Sequence, residues 1–218
     1  MDPLQLAELL CARVCHDLSG PVGAAAAGAE LFEDMAGAVD DETVSLVAEA
    51  AAGAASRLKF FRSALGPAAS APQGSAGLRD LMVNYLGTLA SSSSPGIQLD
   101  WTAPPPNLDG ETARLLLNLV LLAKDALPRG GRITVTLDQG RPRVVAYGEP
   151  ASLNDEARAV LTGKCPPSGP KGAQAFFVRT LAERLGGGLV ASLTPEGLAL
   201  SIGTTVPPSE VGSGSPDG

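Results

Sequence analysis

The sequence predicts an α+β fold in two parts. A helical hairpin, completed by a second copy into a four-helix bundle in a homodimer, is followed by an α/β sandwich with helices on one face of a mixed sheet. Three observations carry this. Apolar residues recur at three- and four-residue steps through two long N-terminal segments. The stretch GPAASAPQGSA at 66–76 then has the composition of a linker. Beyond it, short apolar runs alternate with helical patterns that end on Gly and Pro.

The first helix is predicted over 3–36, where Leu6, Leu10, Val14, Leu18, Val22, Ala25, Ala29 and Phe32 form one stripe. Pro21 lies inside it and predicts a kink. Gly23, Ala24 to Ala27 and Gly28 present almost no side chain, a surface that lets another helix come close. Gly37 is the expected stop, and Asp40 or Asp41 the cap of the next helix. That helix, predicted over 42–65, repeats the stripe with Val44, Val47, Ala51, Ala54, Leu58, Phe61 and Leu65, and Phe60, Phe61 and Leu65 are expected in the core. Two such helices make an antiparallel hairpin that cannot bury its own faces, so homodimerisation follows from the pattern.

After the linker a helix is expected around 77–90, then the loop of Ser91 to Gly96 and a strand at Ile97–Trp101. A strong helix follows over about 110–127, then strands near 131–138 and 142–147. A helix at 155–161 and another at 172–185 precede Gly186-Gly187-Gly188, read as a helix stop and tight turn. Strands near 189–194 and 197–203 close the fold. The expected division is a hairpin over 1–66, a linker over 67–76, the sandwich over 77–206 and a disordered tail over 207–218.

Composition narrows the function classes. At 44% apolar residues the chain has ample material for a core, though aromatics are only 4%. A net charge of −7 disfavours nucleic acid and anionic membranes as partners, because phosphate contacts need clustered Lys and Arg. Three cysteines make no disulfide framework, and with a single histidine a zinc site is not expected. Without a basic segment ahead of an apolar run, or a stretch long enough to span a bilayer, a cytoplasmic protein is expected.

The one histidine, His16, is turned about 200° from the stripe residues Val14 and Leu18, so it faces away from the helix seam. Arg13, Ser19 and Gly20 lie three or four residues away and share its face. A neutral imidazole is a competent nucleophile, and a guanidinium suits an anionic phosphoryl group. Gly20 leaves room for a partner.

The string Cys15-His16-Asp17-Leu18-Ser19-Gly20-Pro21 resembles the phosphoacceptor box of histidine kinases: His, an acidic residue, a hydrophobic residue, two variable positions and Pro. The second part resembles their ATP-binding domain, with each nucleotide motif broken. In the N-box helix, Asn118, Leu119 and Ala123 match, but Leu122 stands where a magnesium-coordinating Asn is expected, and leucine offers no oxygen ligand. Val144 to Pro150 lacks the adenine-reading Asp and the second Gly. Gly169-Pro170-Lys171-Gly172-Ala173 replaces the glycine-rich loop that cradles phosphates.

Taken together, residues 3–205 resemble the ChpT-type histidine phosphotransferases of alphaproteobacterial phosphorelays. The resemblance implies a homodimer that binds no ATP and no metal of its own. His16 would be the phosphoacceptor, relaying between the receiver domain of a hybrid histidine kinase and CtrA-like response regulators, with magnesium held in the receiver. Asp17 would orient the imidazole or accept its proton, and otherwise is a solvated helix residue. Arg13 would steady the phosphoryl oxygens, and otherwise makes a surface salt bridge. Leu9, Ser19, Gly20 and Gly23 are the expected receiver-docking positions. Gly20 also occupies the place where phosphatases of this kind put a water-positioning Thr, Asn or Gln, so little phosphatase activity is expected. Two alternatives stand beside this reading: an active kinase with a divergent pocket, and a dimeric interaction module that is never phosphorylated.

Overall fold

The computed structural model describes residues 1–34, 40–90, 95–194 and 197–204. The expected stop at Gly37, the run Ser91–Ser94 and the tail 207–218 lie outside them.

Helix α1 (Pro3–Asp34) runs through Pro21, and α2 (Asp41–Leu65) packs beside it. The Asp40 side chain caps α2 by accepting from the Thr43 N–H at 2.6 Å. A Cβ on Gly28 would collide with Val47, so this glycine sets the closest approach of the two helices, while Gly20 and Gly23 have open space around them.

The chain then enters β1 (Gln73–Gly74), α3 (Ser75–Gly87), β2 (Ile97–Trp101) and β3 (Asn107–Leu108). Next come α4 (Gly110–Asp125), β4 (Gly131–Asp138) and β5 (Arg141–Tyr147). Helices α5 (Asp155–Leu161) and α6 (Pro170–Arg184) and strands β6 (Gly187–Thr194) and β7 (Gly197–Thr204) complete it. The five-stranded sheet has the order β2-β4-β5-β7-β6; β2 and β4 are parallel and the other pairs antiparallel.

Period-two alternation decides which face of the sheet is dry. Ile133, Ala146 and Leu198 form one cross-strand row and Val135, Val144 and Leu200 the next, all buried on the face that α4 covers, while α6 packs on β6. Every residue of α4 from Thr112 to Ala123 except Arg114 is buried, which makes this helix the centre of the core. The hairpin joins the same core. Phe60 stacks on Tyr85 of α3 with ring centroids 4.1 Å apart, and Phe61 meets Tyr85 edge-on at 5.8 Å. The linker is also tied down. Its residues Gln73 and Gly74 pair with Leu108 and Asn107, and Ser75 already belongs to α3. Two-residue bridges are too short to leave a periodic trace, and so this clip was not expected.

Candidate functional site

The His16 side chain is 87% exposed on α1, as its angle from the helix seam required. Its Nδ1 lies 3.1 Å from Asp17 Oδ1. A carboxylate only accepts, so in this contact Nδ1 is the donor. The backbone here is held from α2: Arg57 donates to the Asp17 carbonyl at 2.7 Å and to the Thr88 hydroxyl and carbonyl at 3.0 and 2.7 Å.

Arg13 departs from expectation. It neither lies open beside His16 nor makes a surface bridge, because α6 packs against α1 and Asp125 at the end of α4 reaches it, contacts the two-helix pattern does not reveal. The side chain is 5% exposed, and its two terminal nitrogens donate to Asp125 Oδ2 and Oδ1 at 2.7 and 3.0 Å. Burial alone would lower the Arg13 value and raise that of Asp125. Their mutual attraction reverses both, so Arg13 is raised and Asp125, which also has Lys124 at 3.2 Å, is lowered from the usual values. Beneath this cluster Tyr85 is buried, and its phenol is pushed up by desolvation.

Of the expected docking positions, Gly20 and Gly23 are exposed, Leu9 is half-buried, and Ser19 is exposed with its hydroxyl donating to the Cys15 carbonyl at 2.6 Å. His16 and Asp17 open onto a cavity of about 810 Å³ also lined by Lys124, Asn154, Glu156 and Lys171.

Residues of the degenerate N-box and glycine-loop stretches make contacts within the chain. Leu122 is buried. Asn118 donates to the Ala64 and Arg114 carbonyls at 2.7 and 2.8 Å and accepts from Gln174 Nε2 at 2.8 Å, which uses both of its N–H donors. Ahead of α6 the backbone N–H groups of Ser168 and Gly169 donate to Glu156 Oε1 at 2.8 and 2.7 Å. Burial raises the Glu156 carboxyl, but these bonds, with those of the Ser168 hydroxyl and Gly172, outweigh it and hold the group below the usual glutamate value. Sequence reasoning missed Arg57, Asp125 and Glu156. For Asp125 a signal existed, since an acid closing a helix is the wrong sign for the helix dipole and calls for a cation.

The family model of the histidine phosphotransferase C-terminal domain matches residues 84–197. Protein phosphotransferase ChpT of Brucella abortus (strain 2308) is 30% identical over 214 residues, 92% of this chain and 96% of that protein. A solved structure of a bacterial phosphotransferase superposes with a TM-score of 0.76 at 26% identity, covering 93% of this chain and 98% of its own. A box histidine on a helical hairpin, a mixed-sheet unit behind it and these likenesses converge: the chain belongs to the ChpT-type histidine phosphotransferase family.

Proposed function

We propose that this protein is a cytoplasmic phosphorelay intermediate. It takes a phosphoryl group from the receiver domain of a hybrid histidine kinase onto His16 and passes it to downstream response regulators of the CtrA-like kind. The observation that carries the reading is the exposed imidazole with its Nδ1 held by Asp17, at the mouth of an open cavity.

In the first step the Nε2 lone pair attacks phosphorus of the receiver's aspartyl phosphate. The phosphorus–carboxylate bond breaks and the aspartate leaves with the electron pair. Asp17 stabilises the resulting Nδ1–H imidazolium. In the second step a carboxylate oxygen of another receiver attacks the same phosphorus, and the nitrogen–phosphorus pair returns to Nε2. Such transfers are governed by positioning and charge neutralisation. Charge on the phosphoryl oxygens is met by magnesium held in the receiver's acidic pocket.

ATP has no part in this reading. The buried Leu122, the committed Asn118 and the Glu156 carboxylate against the Ser168 and Gly169 N–H groups support that exclusion. A homodimer is supported by the apolar side chains the hairpin leaves uncovered, Val22, Leu31, Val44 and Leu58.

The test is a labelled phosphotransfer time course. A phosphorylated donor receiver is mixed with the protein or its His16→Ala variant, beside a lane holding the protein with ATP alone. Label reaching only the unaltered protein, and only from the donor, supports the relay. Label from ATP alone points to a working kinase pocket. No label from several donors points to a non-catalytic module.

A further inference from the structure

We propose that Asp125, on the last turn of α4 in the sheet unit, is a positioning residue for the phosphoacceptor, acting through Arg13 and Asp17 on the tautomer of His16. The inference rests on the relay reading above and adds a role for the kinase-like unit in presenting the histidine.

The chain of contacts is continuous. Asp125 takes both terminal nitrogens of Arg13 at 2.7 and 3.0 Å. Among the guanidinium nitrogens, Nε is left buried with no hydrogen-bond partner. It faces Asp17 Oδ2 at 4.0 Å. The other Asp17 oxygen holds His16 Nδ1 at 3.1 Å. A guanidinium is planar, so fixing its fork fixes the direction of Nε. Asp125 thereby aims a positive edge at one oxygen of Asp17 and leaves the other for the imidazole.

Asp125 also breaks a local rule. It is the last residue of α4, where the helix dipole is negative, and it is 8% exposed. An acid placed there and met by Arg13 and Lys124 is the kind of local conflict that marks a functional position. Held in this way, Asp17 has one orientation toward His16, and the Nδ1–H form leaves Nε2 free to attack.

His16 is the only histidine, so the long-range nitrogen–proton NMR spectrum of the whole protein reports one imidazole. The expected wild-type spectrum is that of the Nδ1–H tautomer. Two variants are compared with it. Asp125→Asn removes the charge; Arg13→Lys keeps a cation for Asp125 but loses the nitrogen that faces Asp17. Both are expected to shift the imidazole toward the Nε2–H form. The saturating transfer rate from a phosphorylated receiver should fall roughly tenfold to hundredfold, with half-saturating receiver concentration unchanged. Asp125→Glu should restore part of both readouts.

An unchanged tautomer and rate in a folded Arg13→Lys protein would overturn the proposal, even if Asp125→Asn fails to fold. A wild-type protein that accepts no phosphoryl group overturns the relay reading instead, and the tautomer comparison still decides this one.

Discussion

Arg57 Nη1 donates to the Asp17 carbonyl oxygen at 2.7 Å, and that oxygen is the acceptor Pro21 leaves open, since a proline four residues on has no N–H to give. A side chain from α2 therefore repairs the break that Pro21 makes in the α1 ladder, immediately beside His16. Arg57→Ala should lower stability by about 2–3 kcal/mol, as hydrogen bonds from a charged donor are lost. In a Pro21→Ala background residue 21 donates again, and the same substitution should cost measurably less. Urea midpoints of the four proteins give the coupling, and strict additivity would show that the two residues do not share this acceptor.

The Asp125–Arg13 pair sets a pH dependence whose sign is fixed by the downward shift of the carboxyl. Asp125 stays ionised in the folded chain at pH values where the unfolded chain binds a proton. Its contribution is complete above the ordinary aspartate value, near 3.9, and is lost as pH falls from there toward the folded value. Asp125→Asn is expected to cost about 3–5 kcal/mol at neutral pH, because a buried cation loses its counter-ion. The gap between the two unfolding curves should stay constant from pH 8 to 5 and narrow only below about pH 4. A gap that opened with acid would contradict the assignment.

Much of the architecture was legible in the residues. Strand Ile97–Trp101 and helix Asp155–Leu161 stand where alternation and capping place them, and the stripes of α1 and α2 locate the hairpin. His16 was readable because its angle from the seam is a property of one helix. Arg13 was not, since its fate depends on Asp125, 112 residues away, and periodicity carries no information on which helix end will cover a face. The β1–β3 clip escaped for a related reason, as two paired residues on each side show no alternation.

Leu58 sits on the hairpin with more than half of its side chain exposed, in line with Val44 and among the apolar side chains that nothing in one chain covers. Leu58→Glu would place a charge in the face assigned to a second copy. Sedimentation should show the unaltered protein as a dimer and the variant as a concentration-dependent mixture or a monomer, with helical content retained. A monomeric unaltered protein would remove the four-helix bundle from the account.

Glu156 gives a separate handle on the phosphate-cradle region. Glu156→Gln weakens the acceptor for the Ser168 and Gly169 N–H groups, so hydrogen exchange at those two amides should speed up. Calorimetric titration with magnesium and ATP should remain silent, because Leu122 and the Asn118–Gln174 bond are untouched. Heat of nucleotide binding in this variant would mean that the Glu156 carboxylate alone excludes nucleotide.

The stacking of Phe60 on Tyr85 bears on how the molecule can be cut and recombined. Many signalling chains can be treated as cassettes, with a histidine-bearing bundle lifted from one protein and fused to another. Here the seam between such cassettes runs through the core. Severing the chain after Gly66 would strip Phe60, Phe61 and Ala64 of their covering and leave a sticky end on the hairpin. A chimera built from this hairpin must bring α3 and α4 with it, so the smallest portable unit extends well beyond the helix that carries His16.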